Sequence, residues 1–304
     1  MAIRPERSFE DAFRLVLFYA VFYTLLVGFT TNLLSLVLPN LDDGVPRYFG
    51  PGSIIGANPG VAYEPFLRET PDSSLIKFSP NNSSSYLNYV STMNRRYEKY
   101  FEDGSSTRIC QGMSSNADIV ENGKYNGKEL PCRFNPDQHH MEDCTPKSLF
   151  GYPNGRPCVM LTLNRLIGWQ PEAYLPDEVP ENVKDRYHNG SILLACDGMG
   201  EKDKKIIGNV RYFPENGLDT RFYPYAMMDN YHQPFVMVQF DNLPVGRQVR
   251  VECRAYAKNI VHSPEKRIGL VHFELHLESS SSTDETTQSE DSKVAVGSNG
   301  TEAM

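Results

Sequence analysis

The sequence predicts a single-pass type II membrane protein, with one transmembrane α-helix followed by a mainly β, disulfide-bonded sandwich outside the cell. Three observations predict this fold class. Residues 15–38 carry no charged side chain, strand-like alternation dominates after residue 158, and all six cysteines follow the uncharged segment. The net charge of -8 argues against nucleic acid as a general partner.

Residues 15–38 form the predicted transmembrane helix, and residues 1–14 form a short cytoplasmic segment before it. At about 1.5 Å per residue the helix would be roughly 36 Å long, enough to cross the hydrocarbon with some tilt. A cleaved signal peptide is the alternative. The apolar run is too long for one and lacks a small-residue cleavage pattern before Pro39, so the sequence favours an uncleaved signal-anchor.

Three signals agree that the N-terminus is cytoplasmic and the C-terminus extracellular. Basic residues are more frequent just before the span than just after it, namely Arg4, Arg7 and Arg14 against Arg47. The cysteines all lie on the side expected to be oxidising: Cys110, Cys132, Cys144, Cys158, Cys196 and Cys253. The N-glycosylation sequons lie there too, at Asn81, Asn82, Asn189 and Asn299.

The chain after the span divides into three predicted parts. Residues 39–80 are rich in Pro and Gly up to Pro71, which predicts an extended extracellular stalk. Residues 81–278 form the ectodomain, beginning with a helix near 84–101, where apolar side chains recur at helical spacing. Residues 279–304 have no aromatic side chain and little apolar content, so we expect a disordered tail.

Short strands and frequent turns after residue 158 predict a β-sandwich of the immunoglobulin-like kind. The apolar runs VMLTL, SILLAC and FVMVQF are candidate strands, and RQVRVECRAYA alternates clearly between apolar and polar positions. Cys196 and Cys253 both fall in the inward phase of their strands. We expect a buried bridge between the two sheets.

No catalytic or metal-binding constellation emerges, and we expect no cofactor, no metal and no enzymatic activity of the chain by itself. The phosphate-binding pattern G-x-x-x-x-G-K-[ST] is missing. His272 and His276 alternate like strand residues and would lie roughly 13 Å apart, too far to share an ion unaided. The pair His139 and His140 suits an exposed loop, the acidic pairs at 42–43 and 142–143 suit exposed turns, and EKDKK at 201–205 suits a solvated hairpin tip.

The predicted span carries two different faces. Tyr19, Phe22, Tyr23 and Leu26 form an aromatic stripe, and small residues lie opposite at Thr24, Gly28, Thr31 and Ser35. Phenol hydroxyls in hydrocarbon require a protein partner. The alternative is that Tyr19 is an interfacial belt residue and that the Thr and Ser hydroxyls bond to their own backbone, but a belt position does not suit Tyr23.

Several separated motifs resemble the β subunit of sodium/potassium-transporting ATPases, over about residues 18–277. They are the paired FY of the span, CVMLTLNRLIGWQP, RFYPYAMMDNYHQPFVMVQF and ECRAYAKNI. The resemblance implies bridges between Cys110 and Cys132, Cys144 and Cys158, and Cys196 and Cys253. The cytosolic segment lacks the Gly-Arg-Thr and Ser-Trp elements usual in the family, and the acidic tail is an addition to it.

The resemblance implies a non-catalytic subunit that pairs with a catalytic α chain at the plasma membrane, supporting its folding, membrane delivery and potassium affinity. Contact with that chain would come from Tyr19, Phe22 and Tyr23 in the membrane and from Tyr223, Pro224 and Tyr225 outside it. Lipid surrounds the span, and a small regulatory single-span subunit is a further implied partner. A proton/potassium pump subunit and a cell-adhesion glycoprotein without a pump are the alternatives.

Overall fold

The computed structural model describes residues 9–41, 45–66, 73–101, 106–266 and 268–279. Helix α1 spans Phe9–Val37 and is followed by a 3-10 turn, Leu38–Asn40. Among the described residues α1 is the one helix long and apolar enough to cross a membrane. It begins six residues before the predicted span because Glu10 and Asp11 occupy its first turn, where acidic side chains favour a helix N-terminus.

In the described part of the chain, eleven strands follow α1. They are β1 (Val61–Glu64), β2 (Leu75–Phe78), β3 (Val120–Glu121), β4 (Lys124–Tyr125), β5 (Cys158–Leu163), β6 (Ser191–Gly198), β7 (Asn209–Phe213), β8 (Leu218–Asp219), β9 (Phe235–Asp241), β10 (Gln248–Tyr256) and β11 (Leu270–Leu277). One sheet has the order β1-β5-β9-β7 and the other β2-β11-β10-β6-β8, while β3 and β4 form a separate hairpin.

The two sheet orders are those of an immunoglobulin-like sandwich. The letters A to G of that fold can be assigned in chain order to β1, β5, β6, β7, β9, β10 and β11. One sheet then has the order A-B-E-D and the other G-F-C, which is the arrangement of the immunoglobulin fold. β2 runs parallel to β11 at the edge of the second sheet. The predicted immunoglobulin-like sandwich is therefore confirmed, and the structure adds the strand order, which the sequence did not predict.

The prediction that residues 39–80 form an extended stalk is wrong for the C-terminal half of that range. Residues 61–64 and 75–78 are edge strands, β1 against β5 and β2 against β11, so the β domain begins near residue 61 and not 81. Both strands have only four residues, and prolines lie close to both. Such short edge strands are compatible with nearby prolines, which is why their composition suggested an extended linker.

The central strands β5 and β9 are buried on both faces. Val236 and Phe240 are fully buried, and the Phe240 ring contacts Phe273 of the opposite sheet at 6.0 Å. Phe235 lies on the other face of β9, where the rings of Tyr97, Tyr100 and Phe134 surround it. A second apolar layer therefore covers the outside of this sheet.

Helix α2 (Leu87–Glu98) supplies part of that layer. Its buried side chains are Tyr89, Val90, Met93 and Tyr97, which share one face at the helical spacing seen in the sequence. The helix predicted near residues 84–101 is confirmed, and the apolar face that predicted it is the face that covers the sheet.

Three disulfides join Cys110 to Cys132, Cys144 to Cys158, and Cys196 to Cys253. These are the pairs that the resemblance implies. The expectation that the last of these bridges joins the two sheets is wrong, however. Cys196 and Cys253 lie directly opposite each other on the neighbouring strands β6 and β10 of one sheet. The alternation showed that both face the core, but it could not show that they belong to one sheet.

Of the predictions for the HFELH and EKDKK segments, one is confirmed and one is wrong. The HFELH segment lies in β11, which confirms that it is a strand. The EKDKK segment is not a solvated hairpin tip but a short helix, α3 (Glu201–Lys204), in which the buried Asp203 accepts hydrogen bonds from Arg250. The predicted disordered tail falls, apart from Ser279, outside the described residues.

Candidate partner-binding surfaces

Four aromatic rings form one patch on α1. Phe18 stacks on Phe22 with ring centroids 6.3 Å apart, and Tyr19 stacks on Tyr23 at 6.1 Å. Edge-to-face contacts within each Phe-Tyr pair, at 5.5 and 5.4 Å, join the two stacks. The helix buries none of its residues, so this aromatic patch presents its rings outward.

The opposite face of α1 satisfies its own polar groups. Thr24 donates to the Ala20 carbonyl at 2.7 Å, Thr31 to Val27 at 2.8 Å, and Ser35 to Asn32 at 2.8 Å. No hydrogen bond of the Tyr19 or Tyr23 hydroxyl occurs within the described residues. The two faces therefore differ. The Thr and Ser hydroxyls of the small-residue face bond to the helix backbone, as the alternative interpretation expected, whereas the tyrosine hydroxyls of the aromatic patch do not.

The predicted contact segment of the β domain is mostly interior. Tyr223 and Pro224 are buried, and the Tyr223 ring meets Trp169 edge-to-face at 5.6 Å. Burial raises the pKa of Tyr223 well above its ordinary value, so its phenol stays neutral. Tyr225 is half-buried and is the residue of the three that offers a substantial surface to another chain.

Tyr225 lies at the rim of a basic groove that the sequence analysis did not find. The guanidinium of Arg165 lies 5.5 Å from the Tyr225 ring centroid and 5.6 Å from that of Tyr231. Arg96 and Lys99 of the α2 region line the same groove, of about 470 Å³. We call it the Arg165 groove. Its residues come from three distant stretches, so no local motif could have indicated it.

The chain enters the β domain beside the Arg165 groove. The ring of Phe49 lies against Gly123 and Gly168, where an added Cβ would overlap it at Gly123 and approach it to 2.9 Å at Gly168. Gly168 in turn donates its N–H to the Tyr225 carbonyl at 2.8 Å. Phe49 thus packs next to Tyr225.

The histidines of the β domain have different surroundings: His139 is half-buried and stacks on Phe134 with ring centroids 5.1 Å apart, whereas His140 is exposed. His272 bonds Glu252 at 2.6 Å across β10 and β11, and Arg254 pairs with the same carboxylate. Burial would raise the pKa of Glu252, but these two partners hold it below its ordinary value. Across the described part of the chain there is no group of three or more metal-ligating side chains.

The sequons occupy different surroundings. Asn81 and Asn82 are exposed in the turn after β2, and the Asn82 carboxamide oxygen accepts from Ser84 N–H at 3.1 Å as a helix cap. Asn189 is exposed in the turn before β6. Asn299 lies outside the described residues.

The sequence comparisons agree on one family. The family model described as the sodium/potassium ATPase beta chain matches residues 6–273. The chain belongs to this β-chain family. The matched residues include α1 and nearly all of the sandwich, so the family assignment rests on both regions that carry the candidate surfaces.

Curated relatives support the same assignment. A "probable sodium/potassium-transporting ATPase subunit beta-3" of Caenorhabditis briggsae is 43% identical over 87% of this chain and 80% of its own length. The "subunit beta-1" of Drosophila melanogaster is 30% identical over 87% and 85%. The human "subunit beta-2" is 28% identical over 86% of both chains. These β-chain relatives align along most of their length, so the likeness is not confined to one motif.

Proposed function

We propose that this chain is the non-catalytic β subunit of a sodium/potassium-exchanging ATPase and pairs with the catalytic α chain of that pump. The aromatic patch of α1 is the observation that supports this most strongly, because its rings face outward and no residue in the described part of the chain buries them. Family membership supports the kind of partner, since the relatives are named as β subunits of such pumps.

The depth of the patch explains why it needs a protein neighbour. Counted from Leu15 at about 1.5 Å per residue, Tyr19 lies roughly 6 Å into the apolar segment and Tyr23 roughly 12 Å. A hydroxyl without a hydrogen bond costs free energy in hydrocarbon. A helix of the α chain that packs on Tyr19, Phe22 and Tyr23 would supply acceptors and shield the rings from lipid.

The proposed topology has residues 1–14 in the cytoplasm, α1 across the plasma membrane and the β domain outside. Three disulfides in one domain suit an oxidising compartment. The basic residues before the span suit a cytoplasmic N-terminus. The β domain would then meet the extracellular loops of the α chain.

A second contact with the α chain is proposed at the Arg165 groove. Phe49 follows the predicted span closely in the sequence and packs beside Tyr225 through Gly168, so we expect this end of the sandwich to face the membrane. Tyr225 and the guanidinium of Arg165 present an aromatic and a cationic group side by side. Aromatic and Arg side chains are enriched where protein interfaces are energetically strongest.

The subunit would act by stabilising states of its partner and not by chemistry. Binding that favours the folded α chain raises its stability by mass action, which aids its delivery to the plasma membrane. Contacts that differ between the pump's conformations shift their populations and so its potassium affinity. We also propose, from the family resemblance, that a small regulatory single-span subunit joins the complex.

Affinity purification of the full chain from its native membrane in mild detergent tests the proposal. We expect a P-type α chain in the eluate, with ATPase activity that requires sodium and potassium together. ATPase activity that requires potassium but not sodium would indicate that the partner is a proton/potassium pump. Recovery of the glycoprotein without an ATPase would contradict the subunit assignment and favour adhesion.

A further inference from the structure

A tight apolar loop lies at residues 50–56, and we call it the Ile54 loop. An antiparallel bridge between Gly50 and Gly56 closes the loop, and both glycines have a positive φ, 79° and 78°, which glycine adopts without strain. Ile54 at the tip is fully exposed, and Ile55 is exposed too. The loop therefore presents two adjacent apolar side chains to its surroundings.

The backbone of the Ile54 loop makes several of its own hydrogen bonds. Ser53 donates its N–H at 3.2 Å and its hydroxyl at 2.7 Å to the Gly50 carbonyl. Gly56 donates its N–H to the Ser53 carbonyl at 3.2 Å. Backbone groups that leave water need such partners, so these bonds lower the cost of moving the tip into a bilayer interface.

The sequence around the loop suits a membrane interface. Residues 44–63 contain no acidic side chain, and Arg47 is the one charged side chain among them. The Arg47 guanidinium lies 5.9 Å from the ring centroid of Tyr48, whose side chain is exposed. Tyr is enriched at the level of the lipid headgroups, and the long side chain of Arg extends toward them. An apolar tip is thus combined with interfacial residues at the base of the loop.

The Ile54 loop is tethered near the outer end of α1. The 3-10 turn after α1 ends at Asn40, and a fully extended chain from there to Phe49 spans at most about 32 Å. Phe49 packs against Gly123 and Gly168 of the β domain, which fixes the base of the loop. The tether therefore keeps the loop within reach of the leaflet from which α1 emerges, whatever the path of the chain between them.

A second exposed apolar side chain is attached to the segment that follows the loop. The Asn58 side chain accepts a hydrogen bond from the Val261 N–H at 2.6 Å and donates one to the Val261 carbonyl at 2.8 Å. Gly269 also donates its N–H to the Pro59 carbonyl at 3.0 Å. Val261 is exposed, so the apolar surface at this end of the sandwich is not confined to the loop.

We propose that the Ile54 loop inserts its tip into the outer leaflet of the membrane that α1 spans. Ile54 and Ile55 lie at the boundary between headgroups and acyl chains, with Tyr48 and Arg47 among the headgroups. The partner is a zwitterionic phosphatidylcholine surface, because burial of apolar side chains requires no anionic lipid. The inference rests on the proposed topology, which has the β domain outside the cell.

A lipid surface fits this loop better than another protein does. A stable protein interface buries about 800 Å² on each partner, far more than a few side chains at a loop tip provide. A weak membrane contact is sufficient, because α1 already holds the chain in the bilayer and gives the loop a high local concentration at its surface. Two points of attachment, α1 and the Ile54 loop, then fix the angle of the β domain over the membrane.

Photolabelling from lipid tests the proposal on the full chain, purified with its partner and reconstituted in phosphatidylcholine vesicles. The vesicles contain a phosphatidylcholine with a diazirine near the carbonyl end of one acyl chain, and mass spectrometry of the digested chain locates the label. We expect peptides with Ile54 and Ile55 to carry about tenfold more label than peptides with Met199. The same labelling of the full chain by itself makes the test independent of the partner.

Met199 is the matched reference. Its side chain is 50% exposed, and it follows the end of β6 that pairs with Val251, whereas the Val261 turn comes after Tyr256, at the other end of that pairing. Ile54→Asp should reduce labelling of the loop about fivefold, since a carboxylate stays in water, and Met199→Asp should leave it unchanged. Both positions are exposed, so the unfolding curve followed by Trp169 fluorescence should match wild type in each variant.

Three results would overturn the inference. Equal labelling of the Ile54 and Met199 peptides, with strong labelling of α1, would show that lipid does not contact the loop. Hydroxyl-radical footprinting of the complex would then tell a loop in water, which is oxidised, from a loop that the α chain covers, which is protected. Labelling of the loop that persists in Ile54→Asp would show that its apolar tip is not inserted. An unlabelled α1 would contradict the proposed topology as well.

Discussion

Helix α1 and the β domain bury their apolar side chains in opposite ways. The β domain buries them within itself, between two sheets and again beneath α2 on the outer face of β5 and β9. Helix α1 has no buried residue and carries its aromatic patch outward. The difference teaches that the β domain can bury its apolar side chains by itself, whereas α1 leaves its apolar side chains exposed, as the proposed membrane span and partner contact require.

The comparison predicts the largest loss of stability in the second apolar layer. Phe235→Ala should lower the free energy of unfolding of the β domain by about 3–5 kcal/mol, because it opens a cavity among three aromatic rings. Urea unfolding followed by the fluorescence of Trp169, the one tryptophan, measures it. Tyr48→Ala, at a 74% exposed ring, is the control and should change stability by less than about 0.5 kcal/mol. Equal effects would show that the outer layer is not a core.

The bridge within the second sheet should rank next. Replacing Cys196 and Cys253 together by Ala should cost about 2–5 kcal/mol, mainly by releasing a long loop in the unfolded chain. The same Trp169 unfolding curve measures this loss. An unchanged midpoint would mean that the β6–β10 pairing suffices without the covalent link.

A smaller loss is expected at the buried carboxylate of α3. Asp203→Ala should cost about 1–3 kcal/mol, because it removes the acceptor for the N–H groups of Arg250. Glu201→Ala changes an acid of the same helix whose side chain is 82% exposed and should be nearly neutral. Equal, small effects at both positions would restore the original interpretation of EKDKK as a solvated tip.

The smallest effect should be a pH dependence from Glu252. Its folded-state pKa is lowered, so its contribution is fully present above the unfolded value of about 4.3 and is lost as pH falls through the folded value. Wild type should therefore lose more stability than Glu252→Gln between about pH 6 and pH 3, by less than about 1 kcal/mol. Equal losses of stability in wild type and Glu252→Gln would show that Glu252 does not contribute to the pH dependence.

Local patterns in the sequence predicted the elements well and their assembly only in part. The uncharged run predicted α1, the helical spacing of Tyr89, Val90 and Met93 predicted α2, and alternation predicted β10. Alternation gives the face of a side chain but not the sheet of its strand, which is why the Cys196–Cys253 bridge was expected between sheets. The edge strands β1 and β2 were missed because four residues close to prolines carry little periodic signal.

One of the two candidate surfaces could be predicted from local sequence and the other could not. The aromatic patch was predictable because its four rings lie within six residues of one helix. The Arg165 groove was not, because residues near 96, 165 and 225–233 come together only through the fold. Pairing of the cysteines came from the family resemblance, since spacing alone leaves fifteen connectivities for six cysteines.

The central claim is that the aromatic patch exists for a partner and not for the chain's own stability. The direct measurement is the amount of α chain recovered with Tyr19→Ala/Tyr23→Ala, compared with Val21→Ala/Leu25→Ala on another face of α1. The account predicts about a tenfold drop in recovery for the tyrosine variant, equivalent to roughly 1.4 kcal/mol, with an unchanged Trp169 unfolding curve. Equal recovery of the α chain with both variants would contradict it.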